Sequence, residues 1–198
     1  MPTEKAQKTK QAIIESAFSI ILNEGFEAVT MEHVAEKASV SKGALTYHFN
    51  NKRALHLALI ENYVAHMDEE FNKYVSLFSG EEADTIVVGY IEWFKAFQRN
   101  NSGWAAVGVS LLSNFVLDEQ LMAPVRQWYQ RLFDRIAQLP HERRTPVLVC
   151  ILAMEGLFYA HKFGIDLIPG DMKKALWPYL SDTVAQVNVS QTKKRVRY

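Results

Sequence analysis

Seven large apolar residues, Leu57, Ile60, Val64, Met67, Phe71, Tyr74 and Phe78, are spaced 3-4-3-4-3-4 along the chain. Only an α-helix gathers such positions on one face. The spacing predicts one long helix over about 52–78, ended by Gly80, and a helix of that length can serve both an N-terminal module and whatever follows it. Breakers are scarce elsewhere too: 9 Gly and 6 Pro in 198 residues. Few breakers and long periodic runs predict an all-α fold. With 48% hydrophobic residues, including 11 Phe, 8 Tyr and 4 Trp, the chain can bury a sizeable core.

Ahead of the long helix, Ile13, Ile14, Ala17, Phe18 and Ile21 mark a first helix that Gly25 stops. Thr30 is a competent N-cap for a short second helix with Met31, Val34, Ala35 and Ala38 inward. A turn at Ser39-Val40 leads to a third helix over 41–48, capped by Ser41 and broken by Asn50-Asn51. Three helices with a tight turn between the last two follow the helix-turn-helix plan. The expected division is a helix-turn-helix domain over 1–56 and a helical domain over 57–198, joined through the long shared helix.

Five more helices are expected at about 82–99, 104–115, 118–138, 142–163 and 171–188. Asn100-Asn101-Ser102-Gly103, Leu139-Pro140 and Ile168-Pro169-Gly170 separate them, and Asp118 and Asp171 are good caps. From Val147 to Ala160 the only charged residue is Glu155. A helix apolar all round is buried on more than one side, one side facing the core and the other a second subunit. The 171–188 helix carries the stripe Met172, Leu176, Tyr179, Leu180, Thr183, Val187. These two helices are expected to form the four-helix bundle of a homodimer. The basic run Lys193-Lys194-Arg195-Val196-Arg197 reads as a solvated end.

Lys and Arg number 22, and so do Asp and Glu. No global field attracts nucleic acid or membrane, so any attraction is local. Cys150 is the single cysteine, with nothing basic beside it, and reads as a small buried hydrophobe. No apolar run approaches the ~20 residues that span a bilayer, and MPTEKAQKTKQ lacks the apolar segment of a signal peptide. A cytoplasmic protein without a membrane partner is expected. His33, His48, His56, His66, His141 and His161 are scattered, and HERR at 141–144 is not a zinc-binding pattern. No metal, cofactor or enzymatic site is expected.

The stretch SVSKGALTYHFNNKRAL, 39–55, carries the sharpest chemistry. From Lys37 to His56 the cations are Lys37, Lys42, Lys52 and Arg53 and there are no acids, a formal charge of +4. A helix in a major groove needs small residues near the bases, donors near phosphates and apolar residues behind. Gly43 and Ala44 are small, Ser41 to Gly43 form a helix N-terminus that favours an anion, and Leu45 and Phe49 face inward. Tyr47, His48 and Lys52 bring polar tips to the flanking backbone.

On "NEGFEAVTMEHVAEKASVSKGAL" and "YHFNNKRAL", residues about 9–56 resemble the DNA-binding domain of the TetR family of transcriptional regulators. The resemblance implies a ligand-responsive regulator, most often a repressor released from an inverted-repeat operator. It implies that Thr30, Tyr47, His48 and Lys52 hold phosphates and that Lys42, Gly43, Ala44 and Thr46 face the bases of double-stranded DNA. Two positions depart from the family pattern. Ser39 stands where glycine is usual, at up to about 1–2 kcal/mol if the backbone is left-handed. Thr46 stands where tyrosine is common; it offers a methyl for thymine and a hydroxyl for either base type.

The resemblance also implies a small-molecule pocket among the later helices. Tyr90, Trp93, Phe94, Phe97, Trp104, Phe115, Trp128, Tyr129 and Phe158 are the ring candidates, since apolar ligand sites use aromatics with a few polar tips. Glu155 is expected either to pair with a cation across the bundle or to orient a ligand, the pair being favoured. The competing reading is a helical small-molecule carrier or enzyme that keeps a vestigial DNA-binding module.

Overall fold

The computed structural model describes residues 3–99 and 103–195, with side chains up to Ala185. Among these the chain is helical with no strand: α1 Glu4–Glu24, a 3-10 turn Phe26–Ala28, α2 Met31–Lys37, α3 Lys42–His48, α4 Lys52–Val75, α5 Glu82–Arg99, α6 Trp104–Phe115, α7 Ala123–Gln138, α8 His141–Lys162 and α9 Gly170–Arg195. The break expected at 100–102, Val187 of the last stripe and the basic run 193–197 lie outside the described residues or side chains.

Several bounds differ from the sequence reading; α9 opens at Gly170, ahead of its expected cap Asp171, and runs to Arg195 rather than to 188. α1 begins at Glu4, where the Thr3 hydroxyl accepts from the Ala6 N–H. α4 ends at Val75 rather than near Phe78: the N–H groups of Leu77 and Phe78 turn back to Tyr74 and Val75, and Phe78 stays 38% exposed. Residues 118–122 are a turn rather than the first turn of α7, because Asp118 Oδ1 accepts from the N–H groups of Gln120 (3.1 Å) and Leu121 (3.0 Å).

The chain forms two compact units. The first takes Met1–His66 and Ser102–Gln127, so α6 and the start of α7 join the helix-turn-helix segment. α1 packs on the 3-10 turn, α2, α3 and α6. Ile13, Ile20, Leu45, Leu55, Leu59 and Leu111 are fully buried here, each contributing about 1.5–3 kcal/mol of hydrophobic stabilisation. α4 and α6 approach closely at Gly108: a Cβ there would collide with the Tyr63 hydroxyl oxygen and lie 2.7 Å from Cζ of the same ring. His66 stacks on Trp104, ring centroids 4.0 Å apart.

The second unit takes Met67–Asn101 and Trp128–Tyr198. α5 lies against α8 and α9, and α8 against α9. α8 buries Val147, Cys150, Ile151, Met154, Leu157 and Phe158, and leaves Leu148, Val149, Leu152 and Tyr159, with Phe163 just past its end, between 37% and 55% exposed. α9 buries Leu180 and Val184 and exposes Met172 and Tyr179 at 59% and 69%. Burial at the α8–α5 contact includes Arg143, 2% exposed and bonded to Glu81 (2.7 Å) and Asp84 (2.5 Å). Cys150 is fully buried; its thiol donates to the Leu180 carbonyl (3.3 Å), and desolvation pushes its pKa up to about 11. No described helix is long and apolar enough to cross a membrane.

Candidate nucleic-acid interface and effector cluster

α2 and α3 are short helices, and each is opened by a side-chain cap. The Thr30 hydroxyl accepts from the His33 N–H and the Ser41 hydroxyl from the Ala44 N–H, both at 3.1 Å. Between them α2 closes with a double backbone bond: Val40 N–H to Ala35 C=O and Ser39 N–H to Glu36 C=O, each 3.0 Å. This closure puts Ser39 in the left-handed region, φ 54°, the one non-glycine with positive φ among the described residues. The departure noted in the sequence is therefore a strained position.

α3 is anchored by Leu45, fully buried, and by Phe49 just past its end, 3% exposed. Ser41, Lys42, Gly43, Thr46 and Tyr47 are exposed, while Ala44 and His48 are partly so. Tyr47 stands 81% exposed. Gly43 meets nothing of its own chain: a Cβ there would have only the Ser41 hydroxyl oxygen near it, at 3.9 Å. Its missing side chain leaves room outward. The Thr46 hydroxyl donates to the Lys42 carbonyl (2.8 Å), so toward solvent it keeps a methyl and acceptor lone pairs.

The +4 stripe of the sequence is largely compensated in the fold. Lys42 Nζ lies 2.8 Å from Glu32 Oε1, Lys37 Nζ 4.0 Å from Glu24 Oε1, and Arg53 Nη1 2.5 Å from Asp118 Oδ2. Among the described residues Lys52 alone of the four has no carboxylate within ion-pair distance. Glu32 and Lys42 each stabilise the other's charge, the carboxyl pKa falling and the ammonium pKa rising. Arg53 and backbone N–H groups hold Asp118 down to about 2. A charge count along the chain misses these acids because they lie on α1, on α2 and in the turn after α6.

An open groove of about 720 Å³ runs beside Lys52 and Arg53, with His56, Phe115, Asp118 and Gln120 in its walls. His56 is 9% exposed and tilted against Phe26 and Phe115, ring centroids 5.2 and 4.9 Å away. Desolvation, then Lys52 and Arg53, push its pKa down to about 4.

The ring candidates fall into two groups. Trp104 and Phe115 belong to the first unit, Trp104 against Phe18, Tyr63 and His66, and Phe115 against Phe26 and His56. Tyr90, Trp93, Phe94, Phe97, Trp128, Tyr129 and Phe158 belong to the second and form one cluster, Phe158 lying 4.8–5.0 Å from Phe94, Trp93 and Phe97. Glu155 sits in this cluster, and the expected cation across the bundle is not its partner. The Tyr129 hydroxyl donates to Oε2 (2.7 Å) and the Tyr90 hydroxyl to Oε1. Burial and the adjacent carboxylate raise both phenol pKa values. Lys162, on the same helix, is driven down by desolvation against the pull of Glu155. Among the described residues no cluster of His, Cys, Asp and Glu could hold a metal ion.

Residues 13–59 match the family model of bacterial regulatory proteins, tetR family, and residues 87–185 match that of the tetracyclin repressor-like C-terminal domain. The HTH-type transcriptional regulator TtgR of Pseudomonas putida is 41% identical over 59 residues, 30% of this chain and 28% of that protein. The transposon Tn10 TetC protein of Escherichia coli is 29% identical over 91 residues, 46% of each chain. The matched stretches thus span less than half of these curated relatives. Among solved structures, Salmonella enterica GusR matches with a TM-score of 0.65 at 16% identity, covering 92% of this chain and 98% of that one. The multidrug binding protein EbrR complexed with imidazole matches with 0.62 at 17%, covering 90% and 93%. Both show a shared fold.

Proposed function

Because the chain belongs to the TetR family of bacterial regulatory proteins, we propose that it is a ligand-responsive transcriptional regulator. Its task is to bind an inverted-repeat operator as a homodimer and to leave it when a small apolar or amphipathic molecule binds. The observation that carries this reading is the open face of α3: exposed Ser41, Lys42, Gly43, Thr46 and Tyr47 on a helix whose opposite side is buried through Leu45. Lys42, Gly43, Ala44 and Thr46 face the bases in this reading. Thr30, Ser41, Tyr47, His48 and Lys52 hold the backbone, which supplies affinity but no sequence information.

The apolar residues left exposed on α8 and α9 are the dimer surface, and dimer geometry sets the half-site spacing. The aromatic cluster of the second unit is the effector site, with Glu155 as its anionic anchor and the hydroxyls of Tyr90 and Tyr129 as exchangeable donors. An effector acts only if it favours the state that cannot bind DNA; tight binding alone shifts nothing. The protein's role is regulatory rather than catalytic.

The test is a fluorescence-anisotropy titration against DNA from immediately upstream of the protein's own gene, at two salt concentrations, with random duplex as control. Tight, salt-sensitive binding that discriminates against the control supports the reading. Absence of preference there and in a selection from random DNA would overturn it.

A further inference from the structure

The reading helix does not present its lysine alone. Glu32, on the first turn of α2, lies 2.8 Å from the Lys42 ammonium, and the two side chains are 68% and 73% exposed. A pair this exposed contributes little to folding. On a DNA-facing surface a carboxylate repels phosphates and every acceptor on a base edge. Lys42 compensates its charge, and the carboxylate gains a direct bond of its own only opposite a base-edge donor, of which the major groove offers two, cytosine N4–H and adenine N6–H.

We propose that Glu32 is a base-reading residue that acts with Lys42 on a single G·C pair, Lys42 donating to guanine O6 and N7 while Glu32 accepts from the N4–H of the paired cytosine. This rests on α3 entering the major groove. The protein's donor and acceptor stand 2.8 Å apart. O6 and N4 of a G·C pair are partners in one Watson–Crick hydrogen bond, so they too stand at an ordinary N–H···O distance, about 2.9 Å. The two edges are complementary in spacing and in sign. An A·T pair is not equivalent: along its edge run acceptor N7, donor N6, acceptor O4 and the methyl. A carboxylate over N6 would have acceptors on both sides. The G·C order, two acceptors and then a donor, suits an ammonium beside a carboxylate.

The test is selection from random duplexes by the full chain and by its Glu32→Gln, Glu32→Ala and Lys42→Ala variants, followed by sequencing. The unsubstituted chain should retain a G·C pair at one position of each half-site. Both Glu32 variants should lose that preference by roughly tenfold or more while neighbouring positions keep theirs. Lys42→Ala should relax the same position. A preference that survives in the Glu32 variants would overturn the assignment. So would a uniform change of affinity over all sequences, which would make Glu32 a source of field alone. If the unsubstituted chain retained no sequence at all, the placement of α3 in the groove would fall, and Glu32 with it.

Discussion

The Arg53 guanidinium at the start of α4 grips the Asp118 carboxylate with two nitrogens, Nη1 2.5 Å from Oδ2 and Nη2 3.0 Å from Oδ1. Gln120 Oε1 accepts a further bond from Nη2 at 3.0 Å. The bidentate form fixes orientation as well as distance, so the residue next to Lys52 is tied to the turn after α6. Asp118→Asn keeps an oxygen to cap that turn but loses the charge; Asp118→Ala loses both. Thermal melts should show a drop of about 1–2 °C for the first and about 3–5 °C for the second. Equal drops would mean that the cap contributes nothing. With its pKa held near 2, Asp118 stabilises the fold above the ordinary carboxylate range, and that contribution fades as pH falls from about 4 through 2.

Ser39 closes α2 in a conformation that glycine adopts without strain. Ser39→Gly should raise unfolding free energy by about 1 kcal/mol and Ser39→Val should lower it, both read from urea denaturation. A loss of stability in the glycine variant would show that the seryl side chain has a role in the closure.

His56 ties stability to pH through burial. Its folded pKa, about 4, lies below the ordinary 6.5, so the unfolded chain binds the proton more readily. The stability associated with neutral His56 is fully present above pH 6.5. It declines as pH falls and is gone below about 4, a loss of about 1–2 kcal/mol, less than the ~3 kcal/mol of the full shift because water in the open groove screens the ring. Urea midpoints at pH 7.5, 5.5 and 4.5, compared with His56→Gln, test this: the variant's curve should be flatter over that window.

Tyr90 is fully buried and bonded to Glu155. Tyr90→Phe removes the donor and leaves a carboxylate oxygen unpartnered, at about 1–3 kcal/mol. Tyr90→Phe combined with Glu155→Leu should cost less than the two changes summed, by about 0.5 kcal/mol or more in a double-mutant cycle. Strict additivity would show that the pair is not coupled.

If α8 and α9 form the dimer surface, a charge in its centre should separate the subunits. Leu152→Lys, at a position 55% exposed in the single chain, should shift the protein from dimer to monomer in sedimentation experiments. Operator affinity should fall by about a hundredfold or more as bivalent binding is lost. A stable dimer carrying this substitution would move the interface elsewhere.

Helices and caps were legible because their signals are local: the 3-4 spacing along α4, Thr30 and Ser41 before short apolar runs, Gly25 after α1. The candidate DNA face was legible for the same reason, its residues lying within a few turns of one another from Thr30 to Lys52. What escaped is non-local. The acid that meets Arg53 is Asp118, 65 residues away, while Glu24 and Glu32, which meet Lys37 and Lys42, lie on the preceding helices, ahead of the acid-free 37–56 stretch. Glu155 is bonded to Tyr90 and Tyr129 from two other helices, so no window around it shows its partners. Trp104 and Phe115 share composition with the ring cluster but not its unit, because helix order in the chain does not reveal that α6 folds with the N-terminal segment.

Gly108 and Tyr63 also set an order of events for descendants of this sequence. With the Tyr63 hydroxyl oxygen standing where a Cβ would have to fit, a side chain at 108 requires the buried Tyr63 ring to move. A smaller residue at 63 removes that cost, so 108 opens to alanine or serine more readily after position 63 has shrunk. The two positions should therefore drift with a favoured order, and a library that varies 108 alone should be enriched in glycine.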